Sequence, residues 1–323
     1  MLLVAIVGCS ALAQSQALRL EKVIDLPGVE GRVDHLTADF DWKRVYIAAV
    51  ANGTVEVVDL RQGRRVGEIK GLKEPQGLLY MPINNNLYVA TGGDGMVRSY
   101  YGTTLVPLNS ISLGDDADNL RWDHQSNSVM VGYGDGAIAF LNLNLAGKAK
   151  AEVRLPAHPE SFQVSGNGSG FFANLPRVQS VAYISLVPLA VSAMWRNLGA
   201  LANFPMAVDP GSDRIFIACR MPARLLALDT KTGTVVERIE TVGDADDLLY
   251  DESRGRIYVI GGEGFIDVQS VAKNGKLSSI DHILTAPGAR TGMFVPGWNK
   301  VLVAAPHRDR NPARLLVYDL PGE

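Results

Sequence analysis

The chain has 323 residues, 47% hydrophobic and 20% charged, a balance that excludes a disordered or fibrous chain and suits one large all-β domain or two average ones. Lys+Arg 31 against Asp+Glu 34 gives a net charge of −3, so no basic surplus advertises nucleic acid or anionic lipid. The 33 glycines are scattered along the chain, as expected where many tight turns need positive φ.

At the N-terminus, Leu2 to Val7 are apolar and small residues follow, with Ala11-x-Ala13 placed as a signal-peptidase site. The charged start of a secretory signal is missing, so residues 1–17 read as the end of a longer signal. Ile6-Val7-Gly8-Cys9 also fits a bacterial lipoprotein box, with Cys9 lipidated after cleavage. Either way the expectation is export, to the periplasm or the cell exterior. Cys219, the only other cysteine, ends an apolar run and reads as a small buried hydrophobe. Val181 to Trp195 is too short to span a bilayer and reads as two strands around a turn at Val187-Pro188.

From residue 18 onward one β-rich string recurs. Its copies start at Val45, Leu87, Val129, Phe171, Ile215, Ile257 and Val301, giving spacings of 42, 42, 42, 44, 42 and 44. Each unit carries four strand-like segments, here called a to d. In the first they are Leu36-Thr37-Ala38, Val45–Ala49, Val55–Asp59 and Val66–Ile69, separated by Asp- and Gly-bearing turns. Four short antiparallel strands per 40–45 residues is the blade of a β-propeller. The last unit ends in its strand c, Leu315–Leu320. The segment Leu18–Leu26 is therefore expected to supply the missing outer strand and close a seven-bladed ring, sparing an open edge. Residues 18–323 form a single domain on this reading, and the chain is expected to be a monomer.

In such a ring the d-to-a and b-to-c loops gather on one face, around the channel mouth. Counting back eleven residues from each strand b (ten in the seventh unit) gives Asp34, Gln76, Asp118, Glu160, Phe204, Asp246 and Thr291. The next column is His35, Gly77, Asn119, Ser161, Pro205, Asp247 and Gly292, and the preceding one includes Asn203 and Arg290. Asp118, Asn119, Glu160, Asn203 and Asp246 are hard oxygen donors converging on one axis, which suits Ca²⁺ or Mg²⁺. Asp and Asn at such turns also commonly accept backbone N–H bonds and merely hold the turn. A second sector joins blades seven and one. There His35 or His307, with Asp34, is the candidate general base, and Arg290 is placed to hold a carboxylate. Gln76, Arg220, His158 and Asp247 complete the candidate ligand-binding set, while His124 and His282 look structural. The mouth positions hold nine acids (Asp34, Asp94, Asp118, Asp135, Glu160, Asp246, Asp247, Glu263, Asp309) against five arginines (Arg177, Arg220, Arg290, Arg308, Arg310). That surplus disfavours polyphosphates and nucleic acid.

The strings around Tyr46, Tyr88 and Tyr258, with Glu74-Pro75-Gln76-Gly77, His158-Pro159-Glu160-Ser161-Phe162 and Pro287-Gly288-Ala289-Arg290-Thr291 between repeats, resemble the YVTN-type, YncE-like propeller repeats of bacterial exported proteins over residues 18–320. The resemblance implies a superfamily that includes quinoprotein amine dehydrogenase subunits, lactonases and pure binding proteins. The leading expectation is a non-catalytic propeller binding a small ligand or a protein partner at its mouth. The alternatives are a metal-assisted hydrolase or lyase of lactonase type, and a docking subunit of a redox assembly.

Overall fold

A computed structural model describes residues 17–321; the expected signal segment, with Cys9, lies almost wholly outside them. The described residues form seven four-stranded antiparallel sheets. The first contains Leu36–Asp39, Arg44–Ala49, Thr54–Asp59 and Arg64–Ile69, within a residue or two of the expected strands. Later blades open at Pro75, Leu120, Ser161, Leu201, Ala245 and Thr291. Ser180–Leu186 and Leu189–Trp195 are the two expected strands around Val187-Pro188.

The seventh blade is composite. Arg19–Asp25 pairs antiparallel with Arg314–Asp319 as its outermost strand, and the sheet continues inward through Lys300–Ala305 to Thr291–Val295. Ile24 and Leu26 from the N-terminal strand lie buried in one cluster with Val45 and Ile47 of blade one and Leu302 and Leu315 of blade seven. Strand pairing and apolar burial thus lock the two ends of the domain together.

The strand b string is a continuous apolar run because each blade is packed on both faces by its neighbours. Tyr46 and Tyr88, fully buried, each send a hydroxyl into the next blade's c-to-d loop. Tyr46 donates to the carbonyl of Gly102 at 3.1 Å, and Tyr88 to that of Leu143. A buried phenol needs such a partner, so Tyr46 and Tyr88 each fill an inter-blade gap and tie one blade to the next. Cys219 is fully buried, as expected, and burial pushes its thiol up to about 12.

Candidate functional site

The innermost strands open onto a cavity of about 260 Å³ at the loop-bearing mouth. Its lining follows the repeat register. Six of the seven residues in the column eleven before strand b reach it: Asp34, Gln76, Asp118, Glu160, Phe204 and Asp246. Three of the six owe their position to local irregularities of strand a. Register shifts between Pro75 and Leu78, Asn203 and Met206, and Ala245 and Asp247 leave Gln76, Phe204 and Asp246 out of the ladder. A bulge re-aims a side chain in this way. Two residues upstream, Arg32, Asp116 and His158 also line the cavity. His158 was expected there. Arg32 and Asp116 were not, although the two-residue periodicity of extended chain points to them.

Blades three and six share the string Asp-Ala-Asp, at residues 116–118 and 244–246. Asp116 and Asp244 sit at φ 37° and 51°, a left-handed turn conformation that Asp tolerates. Ala117 and Ala245 are fully buried beneath the turn, and Asp118 and Asp246 follow on the cavity wall. Each acid pair meets cations from a neighbouring blade. His158 lies 3.6 Å from Asp116 and 3.8 Å from Asp118. Arg220 reaches Asp246 at 2.6 Å and Asp244 at 3.3 Å, stacked 3.8 Å over the Phe204 ring, and Arg290 reaches Asp246 at 2.9 Å and Asp244 at 3.2 Å. Around Asp34, Arg32 is hydrogen-bonded to it and donates to Gln76 at 2.9 Å. His35 Nε2 lies 3.9 Å from Asp34.

Burial works against an imidazolium at His158, yet the Asp118 carboxylate beside it, the 2.7 Å bond to the Gly134 carbonyl and the charge of Asp116 raise its pKa to about 9. Burial likewise opposes charge on His35, but Asp34, Asp247 and Asp118 lift its pKa above the ordinary value. The Glu160 carboxyl is pushed up mainly by burial. Among the described residues, neither Glu160 nor Arg177 has a side-chain hydrogen bond or ion pair, although Arg177 lies close enough to offset part of the shift on Glu160. Asn119, 1% exposed, donates its amide to the Glu160 carbonyl at 2.7 Å. The Oδ1 atoms of Asn119 and Asp118 are buried without a hydrogen-bond donor.

Four expected site residues are placed differently. Asn203 lies behind the wall, fully buried, with its amide donating to Asn174 Oδ1 at 3.1 Å and the Ser180 carbonyl at 3.0 Å. Asp247 turns back to accept the Gly292 N–H at 2.7 Å, and burial pushes its carboxyl up to about 7. His307 is outside the cavity, 2.8 Å from Glu30. Asp246 reaches the cavity but is engaged by two arginines. Of the oxygen set expected for Ca²⁺ or Mg²⁺, Asp118, Asn119, Glu160 and Asp246 line the cavity and Asn203 does not, and among the described residues no three His, Cys, Asp or Glu side chains are grouped to hold a metal ion. The acidic surplus is corrected too. Five carboxylates (Asp34, Asp116, Asp118, Glu160, Asp246) face four arginines (Arg32, Arg177, Arg220, Arg290) and two histidines, close to balance. Of the other counted acids, Asp94 pairs with Arg98 and Glu263 accepts the Gly243 N–H.

Fold and site together define a seven-bladed β-propeller with a charged pocket at one mouth. No protein-family model and no curated protein matches the sequence. Among solved structures, the chain is similar to one titled Kuenenia stuttgartiensis hydrazine synthase (TM-score 0.74, 15% identity, covering 86% of this chain and 94% of that one). It is also similar to a chain of a mitotic checkpoint complex (TM-score 0.78, 14% identity, covering 94% and 96%). At such identities the likeness is one of fold.

Proposed function

We propose that the protein is an exported, YVTN-type propeller that binds a small hydrophilic molecule at its charged mouth, without transforming it. The chemical class favoured is an amine that also carries a carboxylate. Two neighbouring buried acceptors, Asp118 Oδ1 and Asn119 Oδ1, have no donor, and the partly exposed Glu160 carboxylate beside them has no side-chain partner among the described residues, while the other charges are largely paired with one another. That surplus of acceptors is the observation carrying the reading, because a buried acceptor left unpaired costs about 1–3 kcal/mol and a protonated amine supplies the missing donors. Arg177, which has no ion pair among the described residues, is the partner for the ligand's anionic end. Export rests on the sequence of residues 1–17, and the protein's own partner, if the mouth serves one, would meet the same charges.

A thermal-melt panel of amino acids and short amines tests this. A ligand at a hundred times its Kd adds about 2.7 kcal/mol, or roughly 4 °C for a domain of this size. The shift is expected to vanish in Glu160→Gln. A silent panel, or a shift that survives Glu160→Gln unchanged, contradicts the proposal.

A further inference from the structure

The opposite end of the channel holds a second and larger concavity, about 840 Å³, where the a-to-b turns gather. Its wall is mostly apolar: Val164, Val208, Leu249, Tyr250, Met293 and Phe294 from four successive blades. One cation stands among them. Arg121 occupies the second position of the inner strand Leu120–Asp123, three residues along the channel from Asp118, or about 10 Å at the rise of an extended chain. In the same register position, counted eight before strand b, the other blades present Thr37, Leu79, Gln163, Ala207, Leu249 and Met293, none charged.

Arg121 is half-buried and poorly compensated. Its Nη1 donates to the Leu120 carbonyl at 2.7 Å and its guanidinium lies 5.7 Å from the centre of the Phe162 ring. Among the described residues it has no ion pair, and burial lowers its pKa although Asp247 and Asp118 act from a distance to raise it. A guanidinium fork held without a carboxylate at the base of an apolar wall is complementary to an anion with an apolar body. The rim adds selectivity. Asp251 is engaged by Arg254 at 2.9 Å, but Glu252 is exposed at the opening, where a second carboxylate on the ligand would be repelled.

We propose that this funnel is a separate binding site for a small amphiphilic monocarboxylate, its carboxylate on Arg121 and its apolar chain along the Leu249–Phe294 wall. The mouth cavity is hydrophilic and takes a different class of molecule, so this site stands or falls independently of it.

Calorimetric titration of the whole protein with octanoate, 1-octanol, octylammonium and acetate decides the matter. Octanoate is expected to bind saturably, one per chain; octanol at least about tenfold more weakly, since a charge-assisted pair contributes some 1.5–3 kcal/mol; and octylammonium and acetate not measurably. Arg121→Met should weaken octanoate by about the same tenfold or more while leaving octanol unchanged. Met293→Glu, which adds a carboxylate to the wall without touching Arg121, should abolish octanoate binding and so locate it. Equal affinity for octanoate and octanol, no saturation by octanoate below about 5 mM, or full binding in Met293→Glu would each overturn the proposal. The comparison on the unmodified chain keeps its force even if Arg121→Met does not fold.

Discussion

His158 links the mouth's electrostatics to the stability of the whole ring, and pH is the perturbation that exposes the link. Its pKa stands at about 9 against an ordinary 6.5, a difference of roughly 2.5 units. At 1.36 kcal/mol per unit this is on the order of 3 kcal/mol. The side chain is almost fully buried, so little of that is lost to solvent screening. The sign follows from proton linkage. A base whose folded pKa lies above its unfolded value stabilises the fold fully below the unfolded pKa and loses that contribution as pH climbs through the folded one. The window is therefore pH 6.5 to 9. Unfolding entropy of about 2.1 cal/mol/K per residue gives roughly 0.6 kcal/mol/K for this domain, so the loss corresponds to about 5 °C in Tm. The assay is calorimetric melting of the parent and of His158→Gln at intervals from pH 6 to 9.5. The parent should fall about 5 °C further than the variant across that range, and an imidazole NMR resonance absent from the variant should titrate near pH 9. Parallel curves, or a His158 pKa below 7, would refute the reasoning that Asp118 and Asp116 hold the imidazolium.

Asp247 gives a companion effect with a different chemical cause. Its carboxyl is raised to about 7 by burial, so its contribution to stability is full at low pH and declines as pH rises through 7. Asp247→Asn, which keeps an acceptor for the Gly292 N–H, should melt higher than the parent at pH 8 and no higher at pH 4; equal melts at both would count against it. Deleting residues 1–26 removes the outer strand of blade seven with the buried Leu18, Ile24 and Leu26. At about 2 kcal/mol for each of these side chains the loss is some 6 kcal/mol, seen as a melt at least about 10 °C lower or as aggregation of the exposed edge. Retention of the parent Tm would mean the ring does not depend on this strand. Asn203→Ala leaves Asn174 Oδ1 and the Ser180 carbonyl without their donor, and should cost about 2–3 kcal/mol in denaturant unfolding without weakening any ligand at the mouth. A loss of ligand affinity at unchanged stability would restore Asn203 to the site.

The ring was legible because its signal is redundant: a strand string repeated at near-constant spacing, and a missing last strand matched by an orphan first one. Register carried the site part of the way. The column holding Asp34, Gln76, Asp118, Glu160, Phe204 and Asp246 was found by counting alone, and its residues do face one cavity. What counting could not supply was the direction of individual side chains. The register shift beside Asp246 sends it inward and turns Asp247 back onto Gly292, so two adjacent acids with equal claims in the sequence part company. Asn203 looked like a ligand because it sits one position before the column, yet the requirement to satisfy a buried amide pairs it with Asn174. Arg32 and Asp116 were left out of the site because the columns stopped one residue short of them. The balance of charge changed with them, from an acidic mouth to a nearly neutral one.

The central claim is that residues from separate blades build one pocket whose unpaired acceptors receive an amine. A crystal structure of the protein grown with the best amino acid or amine from the melt panel tests it most directly. The expected result is seven blades, with the ligand's nitrogen within hydrogen-bond distance of Glu160 and of Asp118 or Asn119, and its anionic end toward Arg177. A ligand seated elsewhere, or Glu160 found paired with a neighbouring side chain while the ligand leaves Asp118 and Asn119 untouched, would contradict it.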